Sequence, residues 1–331
     1  MAVNPLLPPA NRGAGIGSEW AGDDQQWWDW YVTLAAQEGG ATGADGEVAE
    51  LVPGPPRPDV EPATDEEVTG ALAAPYALSD EVVEAFARDT FIKLPGVLPP
   101  AVVLRLADRL EELLRAAHGD ATAGRFLALE QMWVDDPLMR AVALSPRLGD
   151  LAARLLAVDA VRLYHDNALS KEPGCGRTPW HHDAEHFPFT PPTAVTAWMP
   201  VSAIPAPMGP LSFAVGAGVR PMLADLPFDK VGTSYDRAVT ERLRRERVRV
   251  VDSPYAVGEI SFHSAACFHT AGPNRTVLPR RALATTYVAD GVRVVDAPTM
   301  VSGAWRDFLP GVQPGGLVDS PLNPLLRRVL S

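Results

Sequence analysis

The sequence predicts a mainly β fold with flanking helices, built around a double-stranded β-helix (jelly roll) core. In the second half of the chain, short apolar runs alternate with Pro and Gly. This pattern is typical of short strands in a closed or double-sheet β architecture. The first half contains strongly periodic amphipathic segments that predict helices. Helices in the first half and strands in the second therefore indicate a β core that carries helices on its outside.

The predicted elements follow in order along the chain. Ser79-Asp80-Glu81 opens a helix near residues 82–86, and a short strand at 91–94 ends at Pro95-Gly96. Apolar residues at helical spacing predict helices at 99–117 and 146–156. The remaining predicted strands are residues 160–171, 194–201, 211–215, 247–251, 260–262 and 282–288.

Residues 1–75 are predicted to form an acidic, Pro- and Gly-rich N-terminal arm, ahead of a single domain at 76–331. The arm carries 13 acidic and two basic residues, whereas the rest of the chain carries 28 and 27. Four tryptophans lie between residues 20 and 30, in a predicted short helix. Large aromatic side chains favour burial. We expect this helix to pack on its own domain, or to cover the active-site mouth or a partner copy in a homodimer.

Charge and hydropathy exclude several classes of protein. The near-neutral domain lacks the extended basic surface of a nucleic-acid-binding protein. No apolar run approaches the roughly 20 residues that span a bilayer, and no secretory signal is readable at the N-terminus. The two cysteines, Cys175 and Cys267, cannot form a disulfide framework. A cytoplasmic location and no membrane partner are therefore expected.

Residues 221–252 are predicted to be an insertion with a helix from about residue 234 to 247. Six arginines lie between positions 237 and 249. Such a run indicates a solvated helix face. The alternative is a lid that grips an anionic substrate or the acidic arm.

Three potential metal ligands stand out in the sequence. His181 and Asp183 lie two residues apart, where extended backbone would direct both side chains to one face. His269 follows later, and Arg280 comes eleven residues after it. Two imidazoles and a carboxylate that leave open coordination positions are the ligand set of non-haem Fe(II) sites. An arginine nearby suits bidentate binding of a dicarboxylate cosubstrate.

Other histidines compete for these positions. A helical pairing of His182 with His186 is disfavoured, because prolines stand on both sides of the segment. His263 competes with His269, but the turn Gly272-Pro273-Asn274 and the spacing to Arg280 favour His269. A structural or supporting role beside the metal is expected for His263.

From about residue 86 to 288 the chain resembles the phytanoyl-CoA dioxygenase family of Fe(II)/2-oxoglutarate-dependent oxygenases. Segments that carry this resemblance are residues 91–97, 163–174, 178–183, Trp198, 209–211 and 269–281. The resemblance implies that His181, Asp183 and His269 bind iron and that Arg280 binds the distal carboxylate of 2-oxoglutarate. It places Thr178, Lys171 and Trp198 at the cosubstrate. Asn167 shares strand parity with Lys171 and is expected to point the same way. For Trp198, core packing is the alternative.

Two departures from the family pattern concern the substrate side and the cosubstrate. Ala271 stands where many relatives have Ser, so a hydroxyl contact to 2-oxoglutarate is either missing or supplied by Thr270 or Thr178. Residues 215–218 replace the family's Pro-Gly-Ser-His. Related halogenases have a small residue in place of the carboxylate, so Asp183 favours hydroxylation, with desaturation, epoxidation or ring formation as variants.

The predicted function is therefore oxidation of a C–H bond in a small organic molecule, plausible in specialised metabolism, with Fe(II), 2-oxoglutarate and O2. Two other classes stay open. A non-oxidative metal-dependent enzyme would hold zinc in the same ligands. A non-catalytic binding protein would keep the fold and use the Trp-rich arm for interaction. The sequence identifies neither the substrate nor the oligomeric state.

Overall fold

A computed structural model of the chain describes residues 50–190, 193–227, 233–298 and 305–328. Its strands are β1 (Phe91–Leu94), β2 (Phe126–Glu130), β3 (Ala160–Lys171), β4 (Thr178–His181), β5 (Ala194–Pro200), β6 (Leu211–Ala214), β7 (Val250–Asp252), β8 (Ile260–Ser264), β9 (His269–Ala271), β10 (Arg280–Ala289) and β11 (Leu325–Arg327). Its helices are α1 (Asp65–Ala73), α2 (Asp80–Asp89), α3 (Pro100–His118), α4 (Met132–Asp135), α5 (Pro137–Ala143), α6 (Pro146–Leu155), α7 (Val219–Leu223), α8 (Ser234–Arg245) and α9 (Trp305–Phe308).

Two antiparallel sheets form the core. The larger has seven strands in the order β1-β8-β5-β10-β3-β11, with β2 also paired to β3. The smaller has the order β4-β9-β6-β7. The crossed strand order, in which consecutive strands are often not neighbours, is that of a double-sheet jelly roll. The predicted fold class is confirmed.

The helices cover one face of the larger sheet. The main hydrophobic core joins apolar residues of α1, α3, α5 and α6 to residues such as Leu163, Val195, Phe262 and Tyr287 from four of the strands. Alternate residues of a strand point to opposite faces. The other face of these strands therefore faces the smaller sheet and lines the interior of the jelly roll.

The end of the predicted arm contains an ordered helix. A capping box begins α1: the hydroxyl of Thr64 accepts from the backbone N–H of Glu67, and the Glu67 carboxylate accepts from the N–H of Thr64. Val68 and Leu72 of α1 are buried in the main core. The Trp-rich helix lies outside the described residues, so the boundary at residue 75 and the homodimer stay predictions.

The arginine-rich segment packs as a surface helix. Within residues 221–252, α8 runs from Ser234 to Arg245, close to its predicted bounds. Most of its arginines are exposed, and several pair with carboxylates, as Arg242 does with Asp225 and Arg244 with Glu241. Its opposite face buries Val239 and Leu243. This arrangement agrees with a solvated helix face. Within the described residues, no helix has the length and apolar character that crossing a membrane requires.

Candidate metal centre and cosubstrate site

The three predicted ligands come together at one end of the smaller sheet. His181 ends β4 and His269 begins β9, and the two residues are partners in the antiparallel pairing of these strands. Asp183 follows in a single 3-10 turn. One ligand atom of each residue lies within 4.8 Å of those of the other two. The pairing of two short strands thus brings together two candidate ligands that are 88 residues apart in the sequence.

Backbone carbonyls orient both histidines. His181 Nδ1 lies 2.9 Å from the Pro179 carbonyl, and His269 Nδ1 lies 3.0 Å from the Cys267 carbonyl. A carbonyl only accepts, so each Nδ1 donates, and Nε2 is left with its lone pair. Burial lowers the pKa of His181 and of His269, so both imidazoles are neutral. This is the form that binds a metal ion.

Asp183 is held by two neighbours. Its Oδ2 accepts from the Thr196 hydroxyl at 3.0 Å and lies 3.3 Å from His263 Nε2. Its Oδ1 lies 3.7 Å from His269 Nε2. Burial acts to raise the pKa of Asp183, but His269 and His263 outweigh it and hold that pKa well below its ordinary value. The site therefore presents an ionised carboxylate with two neutral imidazoles.

The flanking histidines have other contacts. His182 points away from the centre: its ring packs 4.7 Å from that of Phe268, and its Nε2 lies 3.1 Å from Glu185. His182 thus faces away from the centre as predicted, although only His181 of the three residues lies in β4 and Asp183 begins the 3-10 turn. His263 contacts the Asp183 carboxylate and supports it, as expected for a residue beside the ligands.

Arg280 is a buried cation with unmet hydrogen-bonding capacity. It begins β10 and is 2 % exposed. Its Nη1 donates to the Gly209 carbonyl at 3.2 Å, while its Nε has no partner among the described residues. Its guanidinium carbon lies 5.2 Å from the Trp198 ring centre. Burial lowers its pKa to about 10, which leaves it charged at neutral pH. A buried, incompletely paired guanidinium is suited to bind a carboxylate.

Lys171 has a structural contact pattern. It pairs with Arg280 in the register of β3 and β10 and is fully buried. Its ammonium group donates to the carbonyls of Gly176, Ala271 and Gly272 at 2.8, 3.3 and 2.8 Å. All three N–H groups are thereby used, so Lys171 fastens the turn after β9. Its contact with a cosubstrate stays a prediction.

The remaining predicted residues lie on the interior side. Trp198 is buried against Tyr255, with ring centres 5.1 Å apart, and faces Arg280. Asn167 is opposite Ala284, which is opposite Trp198, so all three share one face of the sheet. This agrees with the direction predicted for Asn167.

The two threonines named as hydroxyl sources differ in their availability. Thr178 is buried at the start of β4. Thr270 donates its hydroxyl to the Thr178 carbonyl, so that hydroxyl is occupied.

Sequence reasoning missed two supporting residues. Thr196, on β5, fastens the Asp183 carboxylate. Asp236, on α8, accepts the backbone N–H of Trp180 at 2.7 Å and pairs with Arg177. Asp236 is 1 % exposed, so the insertion supplies a buried acceptor beside the ligand strand. Neither residue has a local signal, because each acts on a strand far away in the sequence.

Solved structures similar to this one include several non-haem, α-ketoglutarate-dependent enzymes. The epimerase SnoN from nogalamycin biosynthesis has 27% identity and a TM-score of 0.61, covering 75% of this chain and 98% of its own. The carbocyclase SnoK of the same biosynthesis has 22% identity and a TM-score of 0.62, covering 81% and 100%. EctD from S. alaskensis with bound Fe has 20% identity and a TM-score of 0.55, covering 74% and 85%. The last two show likeness of fold alone.

The comparison with family models agrees with this geometry. No curated protein matches the chain significantly. The model of the phytanoyl-CoA dioxygenase family matches residues 69–282, which begin in α1 and include all three candidate ligands and Arg280. Since this match extends over more than half of the sequence, the chain belongs to the phytanoyl-CoA dioxygenase family.

Proposed function

We propose that the chain is an Fe(II)- and 2-oxoglutarate-dependent dioxygenase that oxidises a C–H bond of a small organic molecule in specialised metabolism. The main support is the convergence of His181, Asp183 and His269 in the same interior as the buried guanidinium of Arg280. Family membership and the likeness to SnoN, which comes from nogalamycin biosynthesis, add to it.

The donor set fits both groups. His181, Asp183 and His269 would hold iron through two Nε2 atoms and a carboxylate oxygen, leaving the opposite face open. Arg280 would bind the distal carboxylate of 2-oxoglutarate through its guanidinium, whose Nε has no partner among the described residues. When bound, these groups supply the oxidising chemistry, in which O2 is consumed and 2-oxoglutarate becomes succinate and CO2.

The protein's own residues orient and enclose the reactants. Pro179 and Cys267 carbonyls fix the two imidazoles, and Thr196 and His263 fix the carboxylate. Such supporting contacts set the direction of the ligands. The apolar cluster that includes Trp198, Tyr255 and Phe213 excludes water from the Arg280 side. The chain thus contributes position and a dry interior, and the metal contributes reactivity.

Hydroxylation is the proposed outcome. Asp183 occupies the position that a halide would need in a halogenase, so halogenation is disfavoured. SnoN is an epimerase, and its relationship to this chain makes a stereochemical inversion at carbon the second candidate. Both begin with removal of a hydrogen atom from the substrate, and they differ in whether oxygen enters the product.

The test is the visible absorption of the protein with Fe(II) and 2-oxoglutarate under anaerobic conditions. We expect a charge-transfer band that is lost in His269→Ala and retained in His182→Phe, because His182 points away from the centre. Admission of O2 with candidate substrates should yield succinate, with a one-oxygen mass gain for hydroxylation and none for epimerisation. Absence of the band in the native protein, or zinc as the tightly bound metal, would refute the proposal.

A further inference from the structure

A β-bulge in β3 directs two consecutive aromatic residues to the interior. Thr286 pairs with His165 but Tyr287 pairs with Leu163, so Tyr164 is an extra residue in the ladder. Leu163 and Ala168 both lie in the main core, although a regular strand would turn residues five apart to opposite faces. Bulges are enriched beside active sites, where they redirect side chains. Regular alternation from Asn167 already turns His165 away from the main core, and the bulge places Tyr164 on that side as well.

In the register of the larger sheet, His165 lies at the same height along the strands as the candidate metal centre. Its partner Thr286 has its hydroxyl 3.1 Å from that of Thr196, which in turn donates to Asp183. Arg280 is six residues from Thr286 along β10, which corresponds to about 20 Å of strand. The His165 end of the interior is therefore separate from the Arg280 end, and it lies on the side of Asp183 that Thr196 and Thr286 contact.

An aromatic wall surrounds His165. The ring centre of Phe308 lies 4.9 Å from that of His165, and the ring centre of Phe187 lies 6.1 Å away at a steep angle. Tyr164 contacts both phenylalanines. Phe187 follows Asp183 by four residues, and both phenylalanines are only half-buried, whereas Tyr164 is buried. The partly exposed rings of the two phenylalanines thus form an aromatic surface near the metal ligands.

Two buried polar atoms in this region lack partners. His165 Nδ1 and Asn167 Oδ1 make no hydrogen bond to any described residue. They belong to residues i and i+2 of one strand, whose side chains lie on the same face and whose Cα atoms are about 6.6 Å apart. Buried polar groups in proteins are almost always hydrogen-bonded, and leaving one unsatisfied is costly. Because they lack partners among the described residues, these two atoms are available to a ligand group.

The electrostatic surroundings restrict the charge of that ligand. The rings that contact His165 are uncharged. Two carboxylates act on this cluster: Asp183 on His165, and Glu130 on Tyr164. Burial lowers the pKa of His165 to about 4, so the imidazole is neutral near pH 7. An anionic ligand beside His165 would meet the negative charge of Asp183.

We propose that His165, Asn167, Phe187 and Phe308 form the substrate-binding subsite, and that it takes a neutral, planar ring bearing a hydroxyl group. The ring stacks on the two phenylalanines. The hydroxyl donates to one of the two unpartnered atoms that can accept, Asn167 Oδ1 or His165 Nδ1. This inference rests on the proposed function for the identity of the ligand as substrate, but the binding itself does not depend on bound iron.

Calorimetric titration of the full-length chain, without added metal, tests the subsite with four probes. These are 2-naphthol, 2-methoxynaphthalene, naphthalene-2-sulfonate and cyclohexanol. We expect 2-naphthol to bind about tenfold more tightly than its methyl ether, because the ether cannot donate. The sulfonate and the non-planar alcohol should bind at least tenfold more weakly than 2-naphthol. Loss of the acceptor in Asn167→Leu or in His165→Phe should reduce the preference for 2-naphthol over the ether to below threefold.

The matched control is His118→Phe, the same change on α3, where His118 contacts the Ala128 carbonyl. It should leave the preference intact. Equal binding of all four probes, or a preference unchanged in both subsite variants, overturns the inference. If the variants fail to fold, the native probe series still decides. If the probes do not bind but the Fe(II)–2-oxoglutarate band is present, the subsite alone is refuted. If the probes bind but the band is absent, the proposed function alone is refuted.

Discussion

Replacement of Arg280 by methionine would separate cosubstrate recognition from fold. Methionine has a similar length and no charge, so it fills the space beside Trp198 without a donor. The neighbouring Arg281 provides a matched control, because it points to the other face of β10, where its Nη1 lies 3.0 Å from Glu111. Both changes remove one positive charge from adjacent positions of one strand. Only the first removes it from the interior.

The expected size of the effect follows from the bonds available to Arg280. A charge-assisted hydrogen bond contributes about 1.5–3 kcal/mol, and a bidentate contact with a carboxylate makes two. Loss of both weakens binding by about 3–6 kcal/mol, which is roughly 10²–10⁴-fold in Kd. Arg280→Lys keeps the charge but only a single point of contact, so it should weaken binding by roughly 10–100-fold.

Anaerobic titration of 2-oxoglutarate into the Fe(II)-loaded protein measures these affinities directly. Pyruvate shares the 2-oxo acid but lacks the distal carboxylate, so its weak binding should be unchanged in Arg280→Met. The Arg281→Met control should bind 2-oxoglutarate as the native protein does. If Arg280→Met retains affinity within threefold of native, or if the control is equally impaired, then the buried guanidinium does not recognise the cosubstrate.

Three further changes test the surrounding structure. Burial lowers the pKa of His165 to about 4 from 6.5, so between these pH values the unfolded chain binds a proton that the folded chain does not. The free energy of unfolding should therefore fall as pH drops from 6.5 to 4, and His165→Phe should remove about 3 kcal/mol of this loss in urea unfolding. A variant with the same pH profile as the native protein would contradict this prediction. Thr196→Val removes the hydroxyl that fastens Asp183 and should weaken Fe(II) binding roughly 10–100-fold in anaerobic titration, whereas equal affinity would exclude this role. Asp236→Asn loses an ion pair and should lower the free energy of unfolding by about 1–3 kcal/mol, which an unaltered urea midpoint would disprove.

Much of the fold could be predicted because its elements carry local patterns. β1 and β3 have the bounds that the apolar runs predict, and α3 and α6 differ by a single residue at their ends. The elements that were missed have weaker patterns. β9 contains only three residues and is a strand because β4 and β6 lie on either side of it. Its extended form comes from tertiary pairing, which no local pattern records.

The candidate ligands were readable for a different reason. Metal chemistry restricts which residue types are useful, and extended backbone restricts their spacing to i and i+2, so the pair His181 and Asp183 is visible in the sequence. The hydroxyl that orients Asp183 belongs to Thr196, one of many threonines at strand positions, and the backbone acceptor of His269 has no side-chain signature at all. Support of this kind depends on which strands are neighbours.

The bulge in β3 shows where the expected alternation of side chains along a strand fails. The parity argument placed Asn167 on the same face as Lys171, and this holds because the strand is regular between them. Continued past His165, the same argument would turn Tyr164 to the main core, whereas the extra residue leaves it on the interior side with Phe187 and Phe189. One unpaired residue therefore changes which side chains face the interior of the jelly roll. Because regular alternation already turns His165 inward, the extra residue is what adds Tyr164 beside it, and bulges of this kind are enriched next to functional sites.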